Sequence, residues 1–240
     1  MKQFRFLPAL AMMAGAFFFS SCNGDEKKTE DKTVSADSTA SVTPAVPEKP
    51  GTIMVIRQKV ANYAAWLPGY TSHDSVRMAY GLHNYLLARG TKDSNIVMVV
   101  LKADDTAKAR QFSMLPDLKA VMKKAGVIGE PTIQLLDVQW HDTSTTAGAS
   151  RVFITHKVKD WDAWKKSFDS HKPTRTDAGL ADRLVGYAVG DPHTVTVAFV
   201  INDMTKTEAF MNSKDLKDKM AEAGVVGPPD IFFYTVVKRY

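Results

Sequence analysis

From about residue 52 onward, apolar and polar positions follow one order of periods, and then follow it again. MVIRQKV from Met54 and VFITHKV from Val152 are short runs rich in β-branched residues and predict strands. Asn62 and Asp160 come next, where a helix N-cap is wanted. The segments that follow carry aromatics at Tyr63, Trp66 and Tyr70, and at Trp161, Trp164 and Phe168. Spacings of three and four make one apolar stripe on a helix, and Gly81 and Gly179 end the helical region. Second strands are predicted over 82–89 and 180–187, and third strands at IVMVVLK and TVTVAFV. Asp105 and Asp203 cap second helices bearing Phe112 and Phe210. A further helical piece in each half ends at Gly126 or Gly224, and a final strand is expected after Pro131 or Pro229.

The two halves are copies of one unit. A constant offset of 98 aligns 56–138 with 154–236 without a gap, with about 28 identities over roughly 83 positions. The clearest run is DLKAVMKKAGVIGEPTI against DLKDKMAEAGVVGPPDI. The order strand, helix, strand, strand, helix, strand is the split β-α-β, ferredoxin-like unit. Its sheet carries helices on one face and leaves the other bare, so a tandem pair lets each copy cover the other. The expected class is α+β, with repeats over 51–141 and 150–240 forming an intramolecular barrel, joined by the polar stretch HDTSTTAGAS at 141–150.

Order, unit length and duplication together resemble the dimeric α/β-barrel superfamily, and within it the antibiotic-biosynthesis-monooxygenase type. The resemblance covers about 52–240 and rests on architecture. It implies cofactor-independent oxygenases, haem-degrading enzymes, haem peroxidases, isomerases or members without activity, so it does not choose a function. The Asn, Trp and His set of the haem-degrading members aligns with nothing here, and no catalytic residue is carried over.

The N-terminus reads differently. Lys2 and Arg5 precede an apolar run from Phe6 to Phe19 and then Ser20-Ser21-Cys22, the pattern of a signal peptide over 1–21. The small-small-Cys ending resembles a bacterial lipoprotein signal, which implies lipidation of Cys22, the only cysteine, after cleavage before it. Asn23 in place of an Asp after the cysteine resembles lipoproteins sorted to an outer membrane, and the early DEKKTED resembles surface-export signals. Residues 22–50 lack large apolar side chains and are rich in charged residues, Ser, Thr, Ala and Pro, so a disordered tether is expected. The expected location is the cell envelope, with either side of the outer membrane open.

Composition excludes more than it selects. A net charge of +5 without a Lys/Arg cluster gives no case for nucleic acid. No long apolar run follows the leader, and P-loop, dinucleotide and nucleophile-elbow motifs are missing. The six histidines, at 73, 83, 141, 156, 171 and 193, show no helical ligand spacing, so neither a metal site nor a bound cofactor is expected.

The candidate chemistry is the repeated helix phrase. Trp66, Tyr70, His73 and Arg77 step by four, three and four on one helical face, and Trp164, Phe168, His171 and Arg175 match them. One reading is a pocket with His73 or His171 as base or axial ligand, Arg77 or Arg175 as holder of a carboxylate or enolate, and Trp66 or Trp164 as walls. The other reading puts Trp in the core, His at a helix end, and Arg on a carboxylate such as Asp105 or Asp93. Strand alternation sets Ile56, Gln58 and Val60 on one side and Arg57 and Lys59 on the other. If the first side meets the helices, Lys59 and Lys157 face the barrel interior or its mouth, with Thr155, Thr194 and Thr196 adding polarity there; a solvated strand end is the alternative. Three functions stay open: a monooxygenase-like enzyme on a small aromatic or enolisable molecule, a binding module for a small hydrophobic ligand or haem, and an envelope interaction domain. A monomer with pseudo-dimeric repeats is expected.

Overall fold

The computed structural model describes residues 51–144 and 150–240. The leader, Cys22, the tether and residues 145–149 of the linker lie outside the described residues. The first repeat supplies β1 (Thr52–Val60), α1 (Tyr63–Ser72), α2 (Asp74–Ala79), β2 (Leu82–Gly90), β3 (Ile96–Ala103), α3 (Thr106–Ser113), α4 (Leu118–Lys124) and β4 (Val127–His141). The second supplies β5 (Ser150–Val158), α5 (Trp161–Ser170), α6 (Lys172–Asp177), β6 (Leu180–Ala188), β7 (Asp191–Ile201), α7 (Met204–Met211), α8 (Lys214–Glu222) and β8 (Val225–Arg239). All strand pairs are antiparallel, and the sheet closes on itself in the order β1-β3-β2-β8-β5-β7-β6-β4. The repeats are sewn together twice, by β2 with β8 and by β4 with β6.

Alternation along each strand divides the core into three. Met54 and Ile56 of β1, and Val97, Val99 and Leu101 of β3, face the helices of the first repeat. Val152, Val195, Val197 and Phe199 do the same in the second repeat. Val55, Met98, Val100, Phe153, Ala198 and Phe232 point into the barrel. A period of two sends successive side chains to opposite faces, and here both faces are covered. The N-caps sit where the sequence puts them: Asn62 accepts from Ala65 N at 3.0 Å, Asp160 from Ala163 N at 2.8 Å, Asp105 from Lys108 N at 2.8 Å and Asp203 from Lys206 N at 3.0 Å.

Two sequence expectations are corrected. The segment expected as one helix is two, broken at His73 (φ −92°, ψ 11°) and at His171 (φ −89°, ψ 7°). In the second copy Pro173 lacks the N–H that would continue the ladder. In both copies a buried arginine donates to a carbonyl of the preceding helix: Arg77 Nη1 to Tyr70 O at 2.9 Å, and Arg175 Nη1 to Phe168 O at 2.5 Å. The final strands begin at Val127 and Val225, ahead of Pro131 and Pro229. Pairing skips from Thr132 to Ile128 and from Asp230 to Val226, so the intervening residues bulge out. Gly129 and Gly227 take φ of 72° and 71° there, and a proline in a bulge has no ladder bond to lose.

Candidate functional site

Each repeat leaves a gap between its helices and the outward face of its sheet, at equivalent places. The gap in the second repeat is a cavity of about 140 Å³ whose wall includes Trp164, Phe168, Phe210 and Leu216 together with His156, His171 and Arg175. Its counterpart in the first repeat holds about 50 Å³ and is walled by Trp66, Tyr70 and Phe112 with Gln58, His73 and Arg77. The repeated phrase therefore does meet at one place in each half.

What those side chains do there is specific. Trp66 and Trp164 are buried and stack on Tyr70 and Phe168, with centroids 4.8 and 5.0 Å apart. Arg175 is 5% exposed, lies 3.6 Å over the Phe168 ring, and grips Asp182 with Nε at 3.1 Å and Nη2 at 2.9 Å. Arg77 lies over Tyr70 and donates to Asp74 at 3.1 Å, while Asn84 donates to the same Asp74 oxygen at 2.6 Å. Burial pushes the Tyr70 phenol well up, and its hydroxyl donates to Asn84 Oδ1. Both arginines thus brace the break between two short helices; Arg175 ties it directly to β6 through Asp182, whereas in the first repeat the tie to β2 runs through Asn84, bonded to Asp74 and Tyr70. Their carboxylates are Asp74 and Asp182, whereas Asp105 caps α3 and Asp93 pairs with Lys59. His171 lies at the cavity edge, 3.1 Å from Asp215 and 5.7 Å from the Phe210 ring.

Lys59 and Lys157 stand elsewhere. Both are exposed, paired with Asp93 at 3.1 Å and Asp191 at 3.3 Å, and neither lines the cavity inside the barrel, where they were expected, or those of the two helical layers. The polar interior is real in part: the Thr155 and Thr196 hydroxyls are buried and 3.0 Å apart, while Thr194 donates to Asp191 at 2.6 Å.

His156 is the residue that sequence reasoning passed over. It sits on β5 with the parity of Val152 and Ile154, so its ring enters the cavity, 5.5 Å from the Trp164 ring. Neither ring nitrogen has a hydrogen-bond partner, and burial pushes its pKa down to about 4. The equivalent residue is Gln58, whose Oε1 is also buried without a partner. The signal was available: Gln58 falls on the helix side by alternation, and the offset of 98 carries that side to His156.

Among the described residues no helix is long and apolar enough to cross a membrane, and no group of three or more His, Cys, Asp or Glu could hold a metal ion. No protein-family model matches the chain, and no curated protein matches it in sequence. Solved structures do share its shape. A candidate monooxygenase from Fusobacterium nucleatum subsp. nucleatum is similar over 80% of this chain and 94% of its own, at 15% identity and a TM-score of 0.53. An anthrone oxidase-like protein is similar over 80% and 94%, at 14% identity and 0.54. A candidate chlorite dismutase is similar over 78% and 95%, at 13% identity and 0.52. The fold is the dimeric α/β barrel, built from two ferredoxin-like repeats in one chain. At these identities the likeness is one of fold.

Proposed function

We propose that the pocket of the second repeat binds one small, mostly apolar aromatic molecule, with His156 as its polar partner. The observation that carries this is a buried imidazole, both nitrogens unbonded, facing an apolar cavity. Leaving such a group unsatisfied costs about 1–3 kcal/mol, which a ligand hydroxyl or carbonyl would recover. A dry cavity of about 150 Å³ takes up benzene, so about 140 Å³ suits one ring with small substituents. A haem macrocycle is far larger, which sets the haem reading below a phenol or ketone.

The chemistry open to this pocket is proton abstraction. Neutral His156 would accept a proton from an acidic carbon or hydroxyl of the ligand, and the anion left beside it would raise its basicity. With O₂ as oxidant, a methylene next to a carbonyl would become a carbonyl, the second oxygen atom leaving as water. Arg175 would act as a positioning residue, through the α5–α6 break that shapes the wall. An interaction domain would be expected to have a filled barrel, and the barrel interior keeps a cavity of about 260 Å³.

p-Cresol binding by titration calorimetry, and dissolved-oxygen uptake with 2-indanone, test this. His156→Phe should weaken p-cresol binding tenfold or more and abolish any uptake. Unchanged binding would remove His156 from the site.

We also propose that Cys22 carries the acyl anchor that holds a monomeric chain at the outer membrane. The Ser20-Ser21-Cys22 ending supports it. Radiolabelled palmitate should enter the wild-type chain and not Cys22→Ala; equal labelling would sink the assignment.

A further inference from the structure

The two helical pockets are copies of one another that differ in size, about 140 Å³ in the second repeat and about 50 Å³ in the first. Gly69 of α1 and Ala125, the C-cap of α4, line the small pocket, and a Cβ on Gly69 would stand 2.9 Å from Ala125 Cβ. Two carbon atoms rest at about 3.5–4.0 Å, so at that spacing no side chain fits between α1 and the end of α4. The offset of 98 makes Ser167 and Ala223 their counterparts, and both line the large pocket. Ser167 has the Cβ that Gly69 lacks. The second repeat therefore has to hold α5 and the end of α8 further apart, by about 1 Å, to return to ordinary contact.

Burial of the neighbouring side chains follows that spacing. Leu118 of α4 and Phe112 of α3 are 7% and 2% exposed. Their counterparts, Leu216 of α8 and Phe210 of α7, are only partly buried, and α8 has no fully buried residue. Leu115, packed against the first core, is replaced by Ser213, whose hydroxyl caps α8 by accepting from Leu216 N at 3.1 Å. The outer wall of the second repeat thus stands off as a layer. A shift of about 1 Å over a nine-residue helix, about 13 Å long and about 10 Å wide, opens on the order of 100 Å³, the size of the difference between the pockets. Ser167 for Gly69 and Lys219 for Val121 bring more side-chain atoms to the wall, so the larger pocket comes from spacing and not from smaller residues.

We propose that Ser167 sets the size of the molecule this pocket accepts. Its Cβ props α8 away from α5 so that one aromatic ring fits, while Gly69 lets the first repeat close. This rests on the reading of the second-repeat pocket as a binding site; it draws size from the spacing of helices, where that reading draws polarity from His156.

Benzene tests it, because benzene needs no polar partner and so reads volume apart from His156. The barrel interior, whose lining includes Arg151, Arg183 and Lys102, is a separate cavity sharing no residue with either helical pocket, so the readout has to be local. Methyl NMR of the full-length chain supplies it, with Leu216 and Met220 reporting the second pocket and Leu118 and Met122 the first. Benzene should move the Leu216 and Met220 methyls of the wild type and leave Leu118 and Met122 in place. Ser167→Gly should weaken that binding by about tenfold or more, and Ser167→Ala, which keeps the Cβ, should hold it within about twofold. Gly69→Ala should bring benzene shifts to Leu118 and Met122; should it fail to fold, the Ser167 pair decides alone. Equal affinity in Ser167→Gly and wild type overturns the proposal, and so does an equal loss in Ser167→Ala, which would assign the effect to the hydroxyl. If benzene behaves as expected while p-cresol binds no more tightly than benzene, the role of Ser167 stands and that of His156 falls.

Discussion

Burial holds the imidazole of His156 at a pKa of about 4, against an ordinary value of 6.5. Between those values the unfolded chain binds the proton and the folded one does not. Stability should therefore rise with pH across that window, and fall by up to about 3 kcal/mol as pH drops from 6.5 to 4. Urea midpoints at pH 7 and pH 4.5 should differ less in His156→Gln, which installs the residue of the other repeat. Arg175 sets a different cost. Replacing it with Met leaves the Asp182 carboxylate, 9% exposed, without its partner, and should lower stability by about 3–5 kcal/mol. Arg175→Met combined with Asp182→Asn should lose clearly less in the same denaturation experiment. These two residues explain what the sequence could reveal. Identity between the copies draws the eye to Trp, His and Arg, and identity selects what both halves need in order to fold. His156 differs from its counterpart Gln58, so the same filter hides it.

At the scale of elements, strands and caps were legible because each rests on a local pattern: β-branched runs, and an Asn or Asp before a helix. The break at His73 and His171 was less so. Pro173 announces it in one copy only, and in the other it shows once Arg77 is seen bonded to the Tyr70 carbonyl. The turns after these helices depend on glycine for two reasons in the second copy. Gly179 has φ of 79°, and a Cβ there would come within 2.7 Å of Asp203 Cβ and 2.9 Å of its backbone nitrogen. Gly81 has φ of 66° but a nearest neighbour at 3.3 Å. A non-glycine residue in this region costs about 1–3 kcal/mol in strain alone. Gly179→Ala should therefore destabilise by more than Gly81→Ala, as read from thermal unfolding of the two variants side by side.

For the whole molecule, closure was foreseeable because a ferredoxin-like sheet has a bare face. The cavity left inside was not, because barrel filling depends on which side chains meet across eight strands. The polar end arises from Arg151, Arg183 and Lys102, far apart in sequence and on different strands. A lone second repeat, 150–240, would expose the inward faces of Phe153, Ala198 and Phe232 and the free edges of β6 and β8. It should run as a dimer or larger species in size-exclusion chromatography with light scattering; a stable monomer would mean that the sheet does not need its partner.

The placement of β8 carries one more consequence. It lies between β2 and β5, so a single stretch of fifteen residues joins the early half of the chain to the late half. On a ribosome, the first repeat can settle its helices and most of its sheet while the rest is still being made. The ring itself has no way to shut until β8 has emerged. A stop codon anywhere in the α7–α8 region would therefore release a product with two open sheet edges, the kind of species that quality-control proteases and aggregation compete for.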